Sequence, residues 1–322
     1  MYKEIIDNRS RMEKGYPTIK KLGIVSPYGE MTPFVFNGRL MRMELVDKFH
    51  GTKVFEDDCL KISQEMKAII RDVETGKIVA TFGEGCYYFA AYVFDGVFYA
   101  TCTQIKEKDN YGSDTIIIFE SKDLITFEKR VLLCRPGWRF FNTSLVKDED
   151  GYTILLEANM PEEKIGPYWF SFLFAKSKDL QHWNYLDEEG CYPLDRYAGG
   201  PKMLYFNGYY YIISVTKLPG ERFTNYISRT KDFKVYEMGK YNPFLMPDED
   251  DRKIAPYAAD ITEEMIDEIK HGYNCNNSDV DMCEFNGKTI IDYTTGNQLG
   301  YYYMAEAEYE GTICELMENF FK

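Results

Sequence analysis

The chain has 322 residues, of which 16% are aromatic, and a formal net charge of −14. This acidity argues against a nucleic-acid partner, whose phosphates demand a basic face, and against an anionic membrane. The N-terminal stretch has no apolar signal-peptide core, and eight cysteines without CxxC spacing predict reduced, buried thiols in a cytoplasmic protein.

A hairpin pattern recurs five times along the chain. Each copy is an apolar run, a turn that ends in glycine and a second apolar run, and Asn-Gly or Asp-Gly dipeptides accept the positive φ of a tight turn. The turn glycines are Gly38, Gly96, Gly151, Gly208 and Gly287. The first four are evenly spaced and the fifth follows a longer interval, which is typical of a repeat architecture with one insertion.

A second motif lies in phase with the hairpins. ESKDLITFEK, AKSKDLQHWNY and SRTKDFKVYE contain Asp123, Asp179 and Asp232, and a degenerate first copy contains Asp72. The motif predicts a strand, a polar turn and another strand after each hairpin. Unrelated hairpins with common turn residues would not share this phase. Five four-stranded units therefore predict an all-β fold, a five-bladed β-propeller.

The remaining segments predict how the domain is closed. Residues 1–30 form a polar, partly helical leader that we expect to close the ring or cover an edge. In the insertion, at about 246–272, Thr262 is a good N-cap and Gly272 a good terminator, so we expect one short helix between blades four and five. A single domain over 1–322 follows.

In a propeller the innermost strands surround the axis, so residues in one register converge on one pocket. Counting back eight residues from each turn glycine gives Glu30, Tyr88, Thr143, Gly200 and Asp279. Counting forward six gives Glu44, Cys102, Glu157, Ser214 and Tyr293. Four carboxylates are thus predicted at one end of the channel, where charges are costly unless they are paired or functional.

Blade five carries a further acidic pair. In the hairpin register Asp281 lies opposite Asp292, and two like charges across a ladder repel. They require a cation, a basic partner or a shared proton. A structural calcium ion stays open here; otherwise we expect no metal or cofactor, because the histidines are dispersed. The alternative is that Asp279 and Asp281 only bind backbone amides in a turn.

Paired carboxylates are what glycoside hydrolysis requires, one as acid and the other to activate water or attack the anomeric carbon. We predict Asp279 and Glu157 as this pair, with Glu44 and Glu30 as further candidate carboxylates. The predicted substrate-binding residues are Asp281, Arg42, Arg139, Asn142, Tyr88 and Trp138. Such aromatic residues more often pack between blades, and the arginines are equally suited to neutralising the acids.

These motifs resemble the five-bladed propeller glycosidases of the furanosidase superfamily, which includes families 43, 32, 62 and 117. The resemblance covers about residues 30–321 and is carried by the hairpins, the S-K-D-L motif, TPFVFNGRL, NTSLV and GGPKMLYFNGYYYI, as in a bacterial branch near families 43 and 117. It implies an exo-acting glycosidase on furanosides or related sugars. Glu30 is the nearest match to the acid that opens blade one.

One position departs from the family pattern. The family-43 general acid precedes a Gly-Pro in blade four, and here Gly199 stands at that position, before Gly200-Pro201. Either the acid has moved or the protein does not hydrolyse glycosides by the family-43 layout.

Two other functions stay open. Gly199 favours a non-catalytic carbohydrate-binding propeller. A cytoplasmic glycoside phosphorylase would need a basic phosphate site, for which the candidates are Arg42, Arg139, Arg196 and Lys202. The tyrosines of GNQLGYYYMAEAEY look exposed, which predicts either substrate contacts or the face of a homo-oligomer.

Overall fold

The computed structural model describes residues 15–46, 66–104, 112–186, 191–219, 222–297 and 300–322. Residues 1–14 of the leader, together with His50 and Cys59, lie outside the described residues. Strands dominate the rest, which confirms the predicted all-β class.

The strands follow one another along the chain with short connections. They are β1 Lys20–Ser26, β2 Met31–Phe36, β3 Arg39–Val46, β4 Lys67–Asp72, β5 Ile78–Phe82, β6 Cys86–Phe94, β7 Val97–Gln104, β8 Thr115–Ser121, β9 Glu128–Cys134, β10 Arg139–Lys147, β11 Tyr152–Met160, β12 Ser171–Ser177, β13 Asn184–Tyr185, β14 Gly199–Phe206, β15 Tyr209–Leu218, β16 Arg222–Thr230, β17 Tyr236–Met238, β18 Asn276–Phe285, β19 Lys288–Gly296 and β20 Tyr302–Glu310. The helical segments are Glu162–Ile165, the 3₁₀ turn Glu249–Arg252, Glu263–His271 and Ile313–Asn319.

The strands form three separate four-stranded antiparallel sheets and one eight-stranded sheet, in which two antiparallel groups of four are joined by a parallel pairing of β16 with β18 at Phe223 and Asn276. We call each group of four strands a unit. Unit one is β2–β5, unit two β6–β9, unit three β10–β13 and unit four β14–β17, while unit five is β18–β20 with β1 added beside β20. β1 belongs to the leader and covers an edge of unit five, one of the two roles expected for the leader. The expected helical part is not found at residues 15–30 and otherwise falls outside the described residues. Ile24 and Val25 are fully buried in β1, and that burial favours a strand on the edge of unit five.

The first strands of the units contact one another in a closed order. β2 contacts β6, β6 contacts β10, β10 contacts β14, β14 contacts β18, and β18 contacts β2. Apolar clusters fill the spaces between neighbouring units, with Phe34 and Phe98 between units one and two, and Leu145 and Ile116 between units two and three. Units four and five are joined by the pairing of β16 with β18, and units one and five by the ion pairs of Arg42 with Asp292 and Glu306.

Turn chemistry accounts for the hairpins and corrects one register. Four turns have positive φ at both central residues, for example 50° at Asn37 and 75° at Gly38. The third turn is longer, because Lys147 pairs with Tyr152 and leaves four residues between them. Counting back eight from Gly151 was therefore wrong for unit three: the residue level with Asp279 is Phe141 and not Thr143.

The second motif folds into the same turn in units two, three and four. Asp123, Asp179 and Asp232 each accept hydrogen bonds from the backbone amides two and three residues ahead, at 2.8–3.0 Å. The residue after each aspartate has a φ of 59°. These aspartates are turn formers at the periphery, away from the ring of first strands.

The helix Glu263–His271 covers part of unit five. Thr262 caps it by accepting from the Met265 amide at 3.3 Å. Tyr301 and Tyr303 lie beneath it in one apolar cluster and are 7% and 0% exposed. The expectation that these tyrosines are exposed was wrong, because the helix packs on them.

Cysteine burial and membrane character can be compared with expectation over the described residues. Cys86, Cys102, Cys191 and Cys275 are buried as expected, whereas Cys134 is exposed, and no disulfide joins the cysteines described. Among the helices the structure describes, none is both long enough and apolar enough to span a membrane.

Candidate active site

A β-bulge interrupts the first strand of units two to five at one common level. In each bulge two residues of the first strand face one residue of the second strand. The sets are Tyr88-Phe89 opposite Cys102, Phe141-Asn142 opposite Glu157, Gly200-Pro201 opposite Ser214 and Asp279-Val280 opposite Tyr293. Bulges re-aim side chains and are frequent beside active sites.

These bulges surround a small cavity on the ring axis, which we call the axial pocket. It is lined by residues of all five units: Glu30, Met31, Thr32, Phe89, Ala90, Asn142, Thr143, Gly200, Pro201, Asp279, Val280 and Asp281. Its volume is about 30 Å³, which is the share of one water in the liquid. This is far below the roughly 300–1,000 Å³ of typical small-molecule sites.

Glu157 lies directly behind two of these lining residues. It is 3% exposed, and its Oε2 accepts hydrogen bonds from Asn142 Nδ2 at 3.0 Å and from the Gly200 amide at 2.9 Å. Burial raises the pKa of Glu157 to about 8, with the nearby Asp279 carboxylate adding to the rise. Glu157 therefore carries a proton at neutral pH, and Oε1 is the oxygen that accepts neither bond.

Asp279, in unit five, lies beside Gly200, whose amide binds Glu157. Its φ is 48°, an uncommon value for a residue other than glycine, and Ser278 Oγ donates to its Oδ2 at 2.6 Å. Burial raises its pKa. A Cβ atom on Gly200 would collide with Asp279 Oδ1. The predicted pair, Glu157 and Asp279, thus meets on either side of Gly200.

The space that a side chain at residue 199 would occupy is filled by other groups. A Cβ atom there would lie 3.2 Å from the Tyr197 hydroxyl and 3.5 Å from Glu157 Oε1. Burial, then the charges of Glu157 and Asp279, raise the pKa of Tyr197. The space beside residue 199 is therefore occupied by Tyr197 and by the Glu157 carboxyl group.

The other two predicted carboxylates lie in different surroundings. Glu30 lines the axial pocket together with Asp279. Glu44 lies apart from it: Arg71 Nε is 2.8 Å from Glu44 Oε1, and Ser26 Oγ donates to Oε2 at 3.1 Å. Arg71 also pairs with Asp260 at 2.6 Å. Glu44 is thus a member of a buried ion-pair cluster.

Asp281 and Asp292 are opposite each other, as the register predicts. Basic partners offset part of their repulsion, and burial raises the pKa of both carboxyl groups. Lys202 pairs with Asp281, while Arg42, which is 1% exposed, has its Nε 3.5 Å from Asp292 Oδ2 and also pairs with Glu306. Over the described residues, no group of three or more histidine, cysteine or acidic side chains is placed to hold a metal ion.

The other predicted binding residues, Arg139, Tyr88 and Trp138, do not line the axial pocket. Arg139 Nε donates to Asn159 Oδ1 at 2.5 Å. Tyr88 has its ring 5.4 Å from that of Phe141. Trp138 is 9% exposed and packs on Phe140 and on the Arg135 guanidinium, so the structure places it in core packing.

Sequence reasoning missed Tyr197 and the Gly200 amide. Tyr197 lies before β14, outside both repeated motifs, and its ring contacts that of Phe170 at 5.6 Å while its hydroxyl lies beside residue 199. The Gly200-Pro201 dipeptide in a strand pattern was a usable signal, because both residues mark bulges.

Comparison with solved structures places the fold. A thermostable family-43 glycoside hydrolase matches with a TM-score of 0.57 and 13% identity over 87% of this chain and 88% of that chain. The chain has the fold of the propeller glycoside hydrolases. A xylan β-1,4-xylosidase from Bacillus halodurans C-125 matches with a TM-score of 0.58 and 13% identity over 90% of this chain and 54% of that chain.

Another structure with the propeller glycoside hydrolase fold belongs to a second family. A GH32 β-fructofuranosidase from Bombyx mori matches with a TM-score of 0.54 and 13% identity over 95% of this chain and 63% of that chain. No protein-family model matches the sequence, and no curated protein matches it. At these identities the likeness is one of fold.

Proposed function

We propose that the chain is a glycoside hydrolase and that its five units are the blades of a five-bladed propeller. The closed order of first strands supports the blade count. One observation carries the function: the Glu157 carboxyl group, on the second strand of blade three, fills the space beside residue 199 and faces Asp279 across Gly200. The acid that is missing from blade four is thus supplied by blade three.

Glu157 is the general acid of this proposal. A carboxyl group that stays protonated near pH 8 can donate its proton to the leaving oxygen at neutral pH. Because Oε2 accepts two N–H bonds, the proton resides on Oε1, which points to Gly199 and Tyr197. A glycosidic oxygen over Gly199 would receive it.

Asp279 is the second carboxylate. Its charge raises the pKa of Glu157, as expected when one member of a pair is ionised and the other is protonated. It lines a cavity with the volume of about one water, together with Glu30. This favours activation of a water molecule by Asp279 over direct attack on the sugar, and hence inversion at the anomeric carbon.

The substrate of this proposal is a glycoside whose terminal sugar sits at the mouth of the axial pocket. The narrow end of the pocket leaves no room for a chain to continue through the axis, which favours exo action. The names of the solved neighbours, a xylosidase and a β-fructofuranosidase, make pentosides and furanosides the first sugars to try.

The test is sugar release from aryl furanosides, aryl pyranosides and plant or algal oligosaccharides. Wild type, Glu157→Gln and Asp279→Asn are compared, with and without phosphate, and the anomer of the product is followed by NMR. We expect release by wild type only, with inversion and no need for phosphate. Full activity in both variants would refute the assignment.

A phosphorylase has less support from the geometry. Arg42 pairs with Asp292 and Glu306, and Lys202 pairs with Asp281. Arg196 pairs with Asp195 at 2.9 Å. These three candidate phosphate ligands are thus engaged with acidic side chains. Sugar release that requires phosphate would reverse this preference, and binding of sugars without turnover would support a binding propeller.

A further inference from the structure

A second cavity lies on the side of unit five where the insertion packs. It has a volume of about 590 Å³ and lies between the start of β16 and two parts of the insertion, residues 246–252 and 273–275. We propose that this insertion cavity binds neutral sugar residues of an oligosaccharide substrate, beyond the bond that is cleaved. The proposal rests on the glycosidase function proposed above. The volume is typical of small-molecule sites, whereas the axial pocket alone is too small for a sugar ring.

The lining of the insertion cavity suits a sugar. Phe223 and Tyr273 present rings, Met246 adds an apolar surface, and Arg222 and Glu249 add polar groups. The Thr224 hydroxyl and the Asn274 amide also lie in the lining, but both are hydrogen-bonded within the protein. Tyr273 is 66% exposed, so its ring is available to a ligand. A mostly apolar lining with a few polar groups that fix orientation is the usual form of a ligand site.

The charges in the lining argue for a neutral ligand. Each acidic side chain of the 3₁₀ segment has a basic partner. Asp248 and Asp251 share Lys21, at 3.3 and 2.7 Å, Glu249 pairs with Arg252 at 3.2 Å, and Asp250 pairs with Lys253 at 2.7 Å. Arg222, which also lines the cavity, brings the basic side chains to four against four acidic ones. With these charges balanced, the cavity favours hydroxyl groups over carboxylate or amino groups on the ligand.

The cavity wall is held rigidly by buried polar contacts. Lys21 Nζ donates to the Met246 carbonyl at 2.6 Å and to Asn277 Oδ1 at 3.0 Å. Asp251 accepts from the Tyr293 hydroxyl at 2.7 Å and from Asn277 Nδ2 at 3.1 Å. A wall fixed in advance lowers the cost of ordering on binding.

The same contacts tie the wall to the proposed active site. Asn277 precedes Asp279 by two residues on β18, and Tyr293 faces the Asp279 bulge from β19. On the other side, the ring of Phe223 lies 5.9 Å from that of Tyr197, whose hydroxyl is beside Glu157. One aromatic pair therefore separates the insertion cavity from the proposed acid.

The test is the dependence of rate on chain length. The probes are aryl monoglycosides and xylo-, arabino- and fructo-oligosaccharides of two to four residues. We expect Tyr273→Ala to lower kcat/KM about tenfold for the longer substrates, a loss equal to about 1.4 kcal/mol, and less than about twofold for the monoglycoside. Val235→Ala removes a side chain that is 73% exposed in an outer turn and serves as the control. Equal losses on all substrates would overturn the proposal.

A binding measurement separates this proposal from the proposed function. Glu157→Gln is titrated with the same oligosaccharides by calorimetry, alone and with Tyr273→Ala. Binding that Tyr273→Ala weakens about tenfold supports the cavity even if wild type hydrolyses nothing, in which case only the proposed function fails. Two outcomes would overturn the proposed binding in the insertion cavity. One is that wild type hydrolyses the substrates but Tyr273→Ala leaves binding unchanged. The other is that no binding is detected.

Discussion

Glu44 and Glu157 occupy the same register in units one and three, and both are nearly buried, at 1% and 3% exposed. Glu44 binds the Arg71 guanidinium through both oxygens, at 2.8 and 3.3 Å. Glu157 receives only neutral N–H donors, from Asn142 and Gly200. A cation favours the ionised carboxylate, whereas burial with neutral donors leaves the pKa of Glu157 at about 8. One register thus places one glutamate against a cation and the other against neutral donors only.

The largest expected difference is in catalysis. Glu157→Gln should lower kcat about 10³-fold, since a general acid contributes roughly 10²–10⁴-fold. Glu44→Gln should lower kcat less than about tenfold, because Arg71 keeps its pair with Asp260. Both are measured on the best substrate of the panel, after circular dichroism has shown that each variant folds. Equal losses of kcat in the two variants would contradict the assignment of different roles to Glu157 and Glu44.

For stability, the larger effect is expected at Glu44 and the smaller one at Glu157. Arg71→Met leaves Glu44 buried without its cation, which should lower the free energy of unfolding by about 3 kcal/mol. Asn142→Leu removes one neutral hydrogen bond from Glu157 and should cost about 1 kcal/mol. Urea unfolding with unchanged m-values measures both. A larger loss for Asn142→Leu would show that the contacts of Glu157 carry the fold.

The sequence predicted that Glu44 and Glu157 share a register, because turn formation depends on local residues. Asn-Gly and Asp-Gly turns gave the five hairpins, and the forward count from the glycines aligned Glu44 with Glu157. The partners were not predictable, because Arg71 and Asn142 lie 27 and 15 residues from the glutamates that they bind. The longer turn before Gly151 also shifted the backward count, since only strand pairing reveals how many residues a turn contains.

The pH dependence should report the proton on Glu157. The acid works only while protonated, so kcat/KM should fall as pH rises through about 8. The Asn142 hydrogen bond lowers the pKa of Glu157, so Asn142→Leu should move this alkaline limb to higher pH. A pH–rate profile of both proteins tests this, and an unmoved limb would assign the acid elsewhere.

Stability gives a second view of the same proton. The pKa of Glu157 is raised from 4.5 to about 8 on folding, so the folded state holds a proton that the unfolded state has lost. Its contribution to stability is full below pH 4.5 and declines as pH rises to about 8. Glu157→Gln imitates the protonated acid and should be more stable than wild type at pH 8.5 by roughly 4–5 kcal/mol. Urea unfolding at pH 5 and 8.5 measures it, and equal pH dependence in both proteins would contradict the raised pKa.

The smallest expected effect concerns the space beside residue 199. Gly199→Ala would place a Cβ atom 3.2 Å from the Tyr197 hydroxyl and 3.5 Å from Glu157 Oε1. Tyr197 must then shift by a few tenths of an ångström. We therefore expect kcat to fall about twofold to fivefold with little change in stability. Adding Tyr197→Phe removes the crowding hydroxyl and should recover part of that loss. Gly200→Ala serves as the strained comparison, since φ is 48° there and its Cβ would collide with Asp279. The contrary outcome is that Gly199→Ala lowers kcat as much as Gly200→Ala and that Tyr197→Phe recovers nothing. The space beside residue 199 would then be needed by a group other than Tyr197. The proposal that Glu157 replaces a side chain at residue 199 would lose its geometric basis.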